Sequence, residues 1–189
     1  KSNAFKKEGL KAALWSPVEL SVNPREAAAA IAAYLQSAFN VQFRFQTAVN
    51  HISMPFIDTK NERWKVEEAY VCSGADFETL YPEAFAAAPI TKCKLQMMRT
   101  VPQPAGWQLG PALSTGLSLV HYASFAHCKS LEALRNRIHT TMPEYVKYGV
   151  HLLVSQNGAG ELSIGDSHEY GDEVDPFDKE SINQLILQY

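Results

Sequence analysis

The chain predicts an α+β fold: an antiparallel or mixed sheet with flanking helices, set beside a remnant of an α/β layer. Three stretches carry that reading. Asn23-Pro24-Arg25-Glu26 opens an Ala-rich helix, followed by a period-two run and an apolar run ending in small residues, the order of an α/β layer. Thr91–Val101 reads as a strand of mixed polar and apolar residues. The run Val150–Val154, the turn Asn157-Gly158-Ala159-Gly160 and the alternating Glu161–Ile164 read as a β-hairpin. An ordinary surface hairpin gives the same pattern.

Each element has a local reason. Residues 10–22 alternate short apolar pieces around Ser16-Pro17 and read as loop or edge strand. Asn23 can cap, Pro24 loses nothing at the first helical position, and Glu26 sits in the first turn. From Ala27 to Phe39, Ile31, Tyr34, Leu35 and Phe39 make a thin apolar stripe, suited to packing closely against a sheet, and Asn40 ends the helix. Val41–Val49 alternates as a strand, residues 53–63 read as a polar turn region, and Trp64–Ser73 reads as an apolar strand entering Ser73-Gly74-Ala75-Asp76. A strand ending in such a turn suits a nucleotide-binding layer, where Gly or Ala lets backbone approach a phosphate. Most such tripeptides are plain turns.

A short helical turn is expected before Pro82, and residues 102–111, rich in Pro and Gly, are loop. Leu117–Tyr122 reads as a strand with Ser124–Cys128 its irregular continuation. Ser130 opens a helix with Leu131, Leu134, Arg135 and Ile138 at helical spacing, stopping before Pro143. Past the hairpin, Gly165 and Gly171 bracket a polar loop, Asp166-Ser167-His168-Glu169-Tyr170. Asp178 is placed to cap a last helix over Lys179–Gln188.

Composition excludes several classes. A net charge of −3 argues against nucleic acid or an anionic membrane as main partner, and 46% hydrophobic with 20% charged residues is ordinary for a soluble globular chain. No apolar run approaches the length needed to cross a bilayer, and no signal peptide is expected. Cys72, Cys93 and Cys128 are odd in number and widely spaced, so a reducing cytoplasm is the expected setting.

Six histidines (His51, His121, His127, His139, His151, His168) invite a metal reading, but no pair has the i, i+4 spacing of a zinc helix. Asp166 and His168 could ligate a metal or simply form a self-bonded turn. Cys128 beside His127 could be a thiolate nucleophile or a half-buried thiol. No P-loop, nucleophile elbow or Gly-x-Gly-x-x-Gly is present. On residues alone the chain is an α/β or α+β domain of undetermined function.

The succession Ala13-Leu-Trp-Ser-Pro17, Asn23-Pro-Arg25, Thr47-Ala-Val49, Val71-Cys-Ser-Gly-Ala-Asp76, Lys94-Leu-Gln-Met97, His121-Tyr122, Ser155-Gln156, Gly165-Asp-Ser-His-Glu-Tyr-Gly171 and Asp175-Pro-Phe177 resembles the FAD-dependent amine oxidoreductases of the D-amino-acid oxidase (glycine/sarcosine oxidase) superfamily. More narrowly it resembles the branch associated with aminophosphonate breakdown. The resemblance spans nearly the whole chain.

It implies a portion lacking the N-terminal Rossmann segment and the C-terminal return to the flavin. Roughly 10–80 would be a partial FAD-binding layer, roughly 90–175 the substrate-binding sheet, and 176–189 a helix returning to the FAD layer. The portion alone is expected to hold FAD weakly or not at all. Cofactor-side positions would be Val49, Cys72, Ser73, Gly74 and Ala75, with Lys94 and Gln96 on the strand beside the isoalloxazine. His151 falls where relatives place a substrate-contacting tyrosine, His168 and Tyr170 face the cavity, and His121 and Arg99 are further candidates for an acid group. The implied substrate is a small amine, an amino acid or aminophosphonate; flavin takes a hydride from the carbon bearing nitrogen, with no protein acid–base pair required. Two alternatives stay open: a non-catalytic domain binding a small anion or partner chain, and a metal-dependent hydrolase built on Asp166, His151 and His168.

Overall fold

Proline at the first helical position and the alanines behind it give α1 (Pro24–Phe39), and Asn40, at φ 55°, takes the left-handed conformation that stops it. The computed structural model describes residues 8–171 and 173–189, and the chain divides into two units: Glu26–Thr91, and Lys92–Tyr189 together with the chain up to Arg25. The described residues form a mixed α and β structure with two antiparallel sheets. No described helix is long and apolar enough to cross a membrane.

In the Glu26–Thr91 unit, β1 (Val49–Ser53), β2 (Phe56–Thr59) and β3 (Arg63–Lys65) form an antiparallel meander. Arg63 clasps Asp58 across β2 and β3 with two nitrogens. Several expectations fail here for one physical reason: a strand pattern needs a strand to pair with. Val41–Val49 is not a strand; residues 41–48 are coil, reversed at Gln46 (φ 55°), with Phe43 and Phe45 stacked at 5.4 Å, and only Val49 enters β1. The region 53–63, expected as a polar turn, holds β2. Past Lys65 the expected strand to Ser73 is coil, closing on a turn in which Asp76 N–H donates to Ser73 O. The stripe on α1 is uncovered: Ile31, Tyr34 and Phe39 are all exposed. The helical turn foreseen before Pro82 begins at that proline instead, as α2 (Pro82–Ala87).

The other unit is built on a four-stranded antiparallel sheet in the order β4 (Cys93–Arg99), β7 (Leu162–Tyr170), β6 (Leu153–Gln156), β5 (Leu113–Ser114). The hairpin β6–β7 forms as its turn chemistry predicts, with Asn157 accepting from the amides of Ala159 and Glu161 and Gly160 at φ 79°. Asp166–Tyr170, expected as a loop, is the outer half of β7, because β4 pairs with it from Lys94↔Glu169 to Arg99↔Ser163. Between Met97↔Gly165 and Gln96↔Ser167, Asp166 is the extra residue, a bulge that turns it out of the ladder.

From β5 the chain passes through α3 (Ser118–His121), a 3-10 turn (Ala123–Phe125), α4 (Leu131–Thr141) and α5 (Pro143–Lys147). Leu117–Tyr122 is thus helical rather than a strand; a short apolar run has no period of its own, and packing decides. Helix α4 matches its prediction, whereas α5 and β5 were not foreseen. The last helix, α6 (Glu180–Gln188), has Lys179 at its cap; Asp178 pairs instead with Lys94, 3.3 Å away.

Alternation along the strands separates two faces. On one, α6 lays Ile182 and Ile186 on Val150 and Leu152, with Met98, Val154 and Ile164 around them. Burying Ile182 completely contributes about 1.5–3 kcal/mol. The polar residues of that face bind the C-terminal segment. Gln96, 1% exposed, donates to Lys179 O and Asn183 Oδ1 and accepts from Lys179 N–H. Lys94 donates to Asp175 O and Phe177 O, and Lys179 pairs with Glu169. Helix α6, which the resemblance would carry back to the flavin layer, packs on β4 and β7. The opposite face is open, and it carries Cys93, Leu95, Met97, His168 and Tyr170.

Candidate functional site

Three histidines from three elements meet on the open face. His168 comes from β7, His151 from the residues leading into β6, and His121 from the end of α3. Ring centroids lie 3.8 Å apart for His121 and His151, 4.6 Å for His151 and His168, and 4.7 Å for His121 and His168. One nitrogen from each falls within 4.8 Å of the others. Tyr122 meets His151 edge-on at 5.4 Å, and Tyr170 stacks beside His168 at 6.0 Å.

The positions follow from local constraints. His168 N–H donates to Tyr148 O, and its Nδ1 lies 3.1 Å from Gly149 O. A carbonyl only accepts, so Nδ1 carries the proton and Nε2 presents a lone pair to the cluster. Gly149 makes this possible: it sits at φ 56°, and a Cβ there would lie 3.0 Å from His168 Cβ. His151 is 3% exposed; its N–H donates to Asp166 O, and its Nε2 faces His168 Nε2 at 3.4 Å. The bulge brings Asp166 Oδ1 to 3.7 Å from His151 Nε2.

Burial, reinforced by His121 and His168, pushes His151 down to about 4. Burial and then His168 also lower His121, against the pull of Asp166. Burial raises the Asp166 carboxyl despite the two histidines nearby. His151 is therefore a neutral imidazole at pH 7, with a lone pair free for a proton, a hydrogen bond or a metal. Buried His151 Nδ1, Asp166 Oδ1 and Ser167 Oγ have no hydrogen-bond partner among the described residues. A cavity of about 170 Å³ opens beside His121 and His151 between α3, α4 and α5, and Arg135, His139 and Tyr145 also line it.

No family model, curated protein or solved structure matches the chain.

Of the residues expected to contact substrate, His121, His151, His168 and Tyr170 come together. Arg99 does not: it pairs with Glu161 at 3.7 Å, opposite Ser163, about 13 Å along β4 from the residue facing His168. Lys94 and Gln96 lie on the α6 face, engaged as described, so the residues β4 offers beside the histidines are Cys93, Leu95 and Met97. Val49, Cys72, Ser73, Gly74 and Ala75 belong to the other unit: Val49 pairs with Thr59 in the meander, and Ser73-Gly74-Ala75 form an exposed turn with Gly74 at φ 63°. Arg135 was missed. Helical spacing alone places it on α4, and only the packing of α3 against α4 brings it to the cavity that His121 lines.

Proposed function

We propose that this chain supplies the substrate-binding sheet and part of the flavin-binding layer of an FAD-dependent oxidoreductase. The enzyme would oxidise the C–N bond of a small amine, an amino acid or aminophosphonate, by hydride transfer to flavin. The observation that carries the reading is the convergence of His121, His151, His168 and Tyr170, distant in sequence, on one open sheet face beside half-exposed Leu95 and Met97. An apolar strip next to polar groups suits a flat ring with a small polar substrate over it. Gly74, with nothing within 4 Å of a Cβ position, leaves backbone open for a phosphate-bearing ligand. The uncovered stripe of α1 and the unpaired runs 41–48 and 70–72 are what a layer without its parallel strands would display. Three free cysteines agree with a cytoplasmic setting.

Leu95 and Met97 would lie against the isoalloxazine. Bound flavin would supply the hydride acceptor. The chain's own groups bind and orient. Arg135 faces the acid group with a permanent charge, which neutral His151 lacks. His168, with Nδ1–H held by Gly149 O, accepts a hydrogen bond from the substrate amine at Nε2. Tyr122 and Tyr170 flank the trio.

The test is an NMR titration of the histidine ring protons with glycine, aminomethylphosphonate and propylamine. The two amine acids should shift His121, His151 and His168 together, and propylamine should do so weakly. FAD at millimolar concentration should broaden the Leu95 and Met97 methyls. Silence of the three histidines toward both acids would refute the reading.

A further inference from the structure

We propose that His121, His151 and His168, with the Asp166 carboxylate, form a mononuclear site for a divalent first-row transition ion such as zinc. The inference goes beyond the flavin reading and stands without it: a bound ion would occupy His168 Nε2 in place of the substrate amine. Two imidazole nitrogens bound to one tetrahedral ion at 2.0–2.1 Å sit about 3.3 Å apart. His151 Nε2 and His168 Nε2 are 3.4 Å apart, and Asp166 Oδ1 is 3.7 Å from His151 Nε2. The remaining nitrogen separations, all within 4.8 Å, involve His121, whose exposed side chain can close the difference by rotating about its own χ angles.

The supporting shell points the same way. A ligating histidine usually donates its other N–H to a carbonyl or carboxylate, and His168 does so to Gly149 O. Asp166, 7% exposed, keeps a buried oxygen without a hydrogen bond among the described residues, 3.7 Å from His151 Nε2. A buried oxygen left unpaired is costly, and a cation answers it. Imidazole nitrogens with one carboxylate select zinc and its transition-metal neighbours over calcium or magnesium.

The experiment uses chelator-stripped protein titrated with Co²⁺, read by visible d–d absorption, followed by displacement with Zn²⁺. One cobalt per chain should bind and one zinc should displace it. His121→Ala, at an exposed position, and His168→Gln should each weaken binding by about 100-fold or more, beyond the range for a lost supporting hydrogen bond alone. His127→Ala, on a residue outside the cluster, should leave it unchanged. Absence of a cobalt band at millimolar metal, or a band undiminished in both His121→Ala and His168→Gln, overturns the proposal.

Discussion

Replacing Gly149 by alanine tests how the fold holds the site. Two penalties follow from the structure. The first is conformational: Gly149 sits at φ 56°, where an L side chain costs about 1–2 kcal/mol. The second is steric. The new Cβ would stand 3.0 Å from His168 Cβ and 3.3 Å from His168 O, well inside the ordinary carbon–carbon separation of roughly 3.5–4.0 Å. His168 cannot retreat, since it is paired with Leu95 in the sheet. The 148–149 segment must move instead. That motion stretches two hydrogen bonds, His168 N–H to Tyr148 O and His168 Nδ1–H to Gly149 O, worth about 1 kcal/mol each. Gly149→Ala should therefore lower the urea-unfolding free energy by about 2–4 kcal/mol. Gly106→Ala isolates the first penalty, because Gly106 has φ 81° and nothing within 4 Å of its Cβ position; it should lose about 1–2 kcal/mol. Equal losses in the two variants would refute the claim that Gly149 is required by its contact with His168.

Other expectations follow from the same geometry. In chelator-treated protein, stability should fall as pH drops below 6.5, since the unfolded chain takes up a proton on His151 that the folded chain resists down to about 4. The loss should reach about 2 kcal/mol by pH 5, and His151→Phe should flatten that limb of the profile. Asp166 acts with the opposite sign: its raised carboxyl gives stability at low pH that is lost as pH rises through its folded value. Gln96→Ala leaves Lys179 N–H without its partner, while Lys179 O keeps the N–H groups of Ile182 and Asn183, and should cost about 1–3 kcal/mol by urea unfolding. Ile182→Ala, at the centre of the α6 contact, should cost about 2–5 kcal/mol.

How much of this was legible in the sequence depended on how local its cause is. Helix α1, the β6–β7 turn, β4 and α4 follow from capping, turn residues and periodicity carried within a few positions, and each forms near its expected place. Val41–Val49 alternates as a strand should, yet no described strand pairs with residues 41–48. Residues 166–170 carry loop-like composition, but β4, far away in sequence, draws them into the sheet. The site was legible by residue type and not by spacing. His151, His168, His121 and Tyr170 could be singled out through resemblance. Their convergence depends on the bulge at Asp166, the bare backbone at Gly149 and the short α3, none of which leaves a motif. Lys94 and Gln96 illustrate the limit: one step of strand parity decides between the α6 face and the open face.

The most direct test of the ligand-binding face is a crystal structure of the chain grown with aminomethylphosphonate. The account predicts density for the ligand within hydrogen-bond reach of His121, His151 and His168, on the face that bears Leu95 and Met97. Ligand bound elsewhere, with the three imidazoles apart and in contact only with solvent, would contradict it.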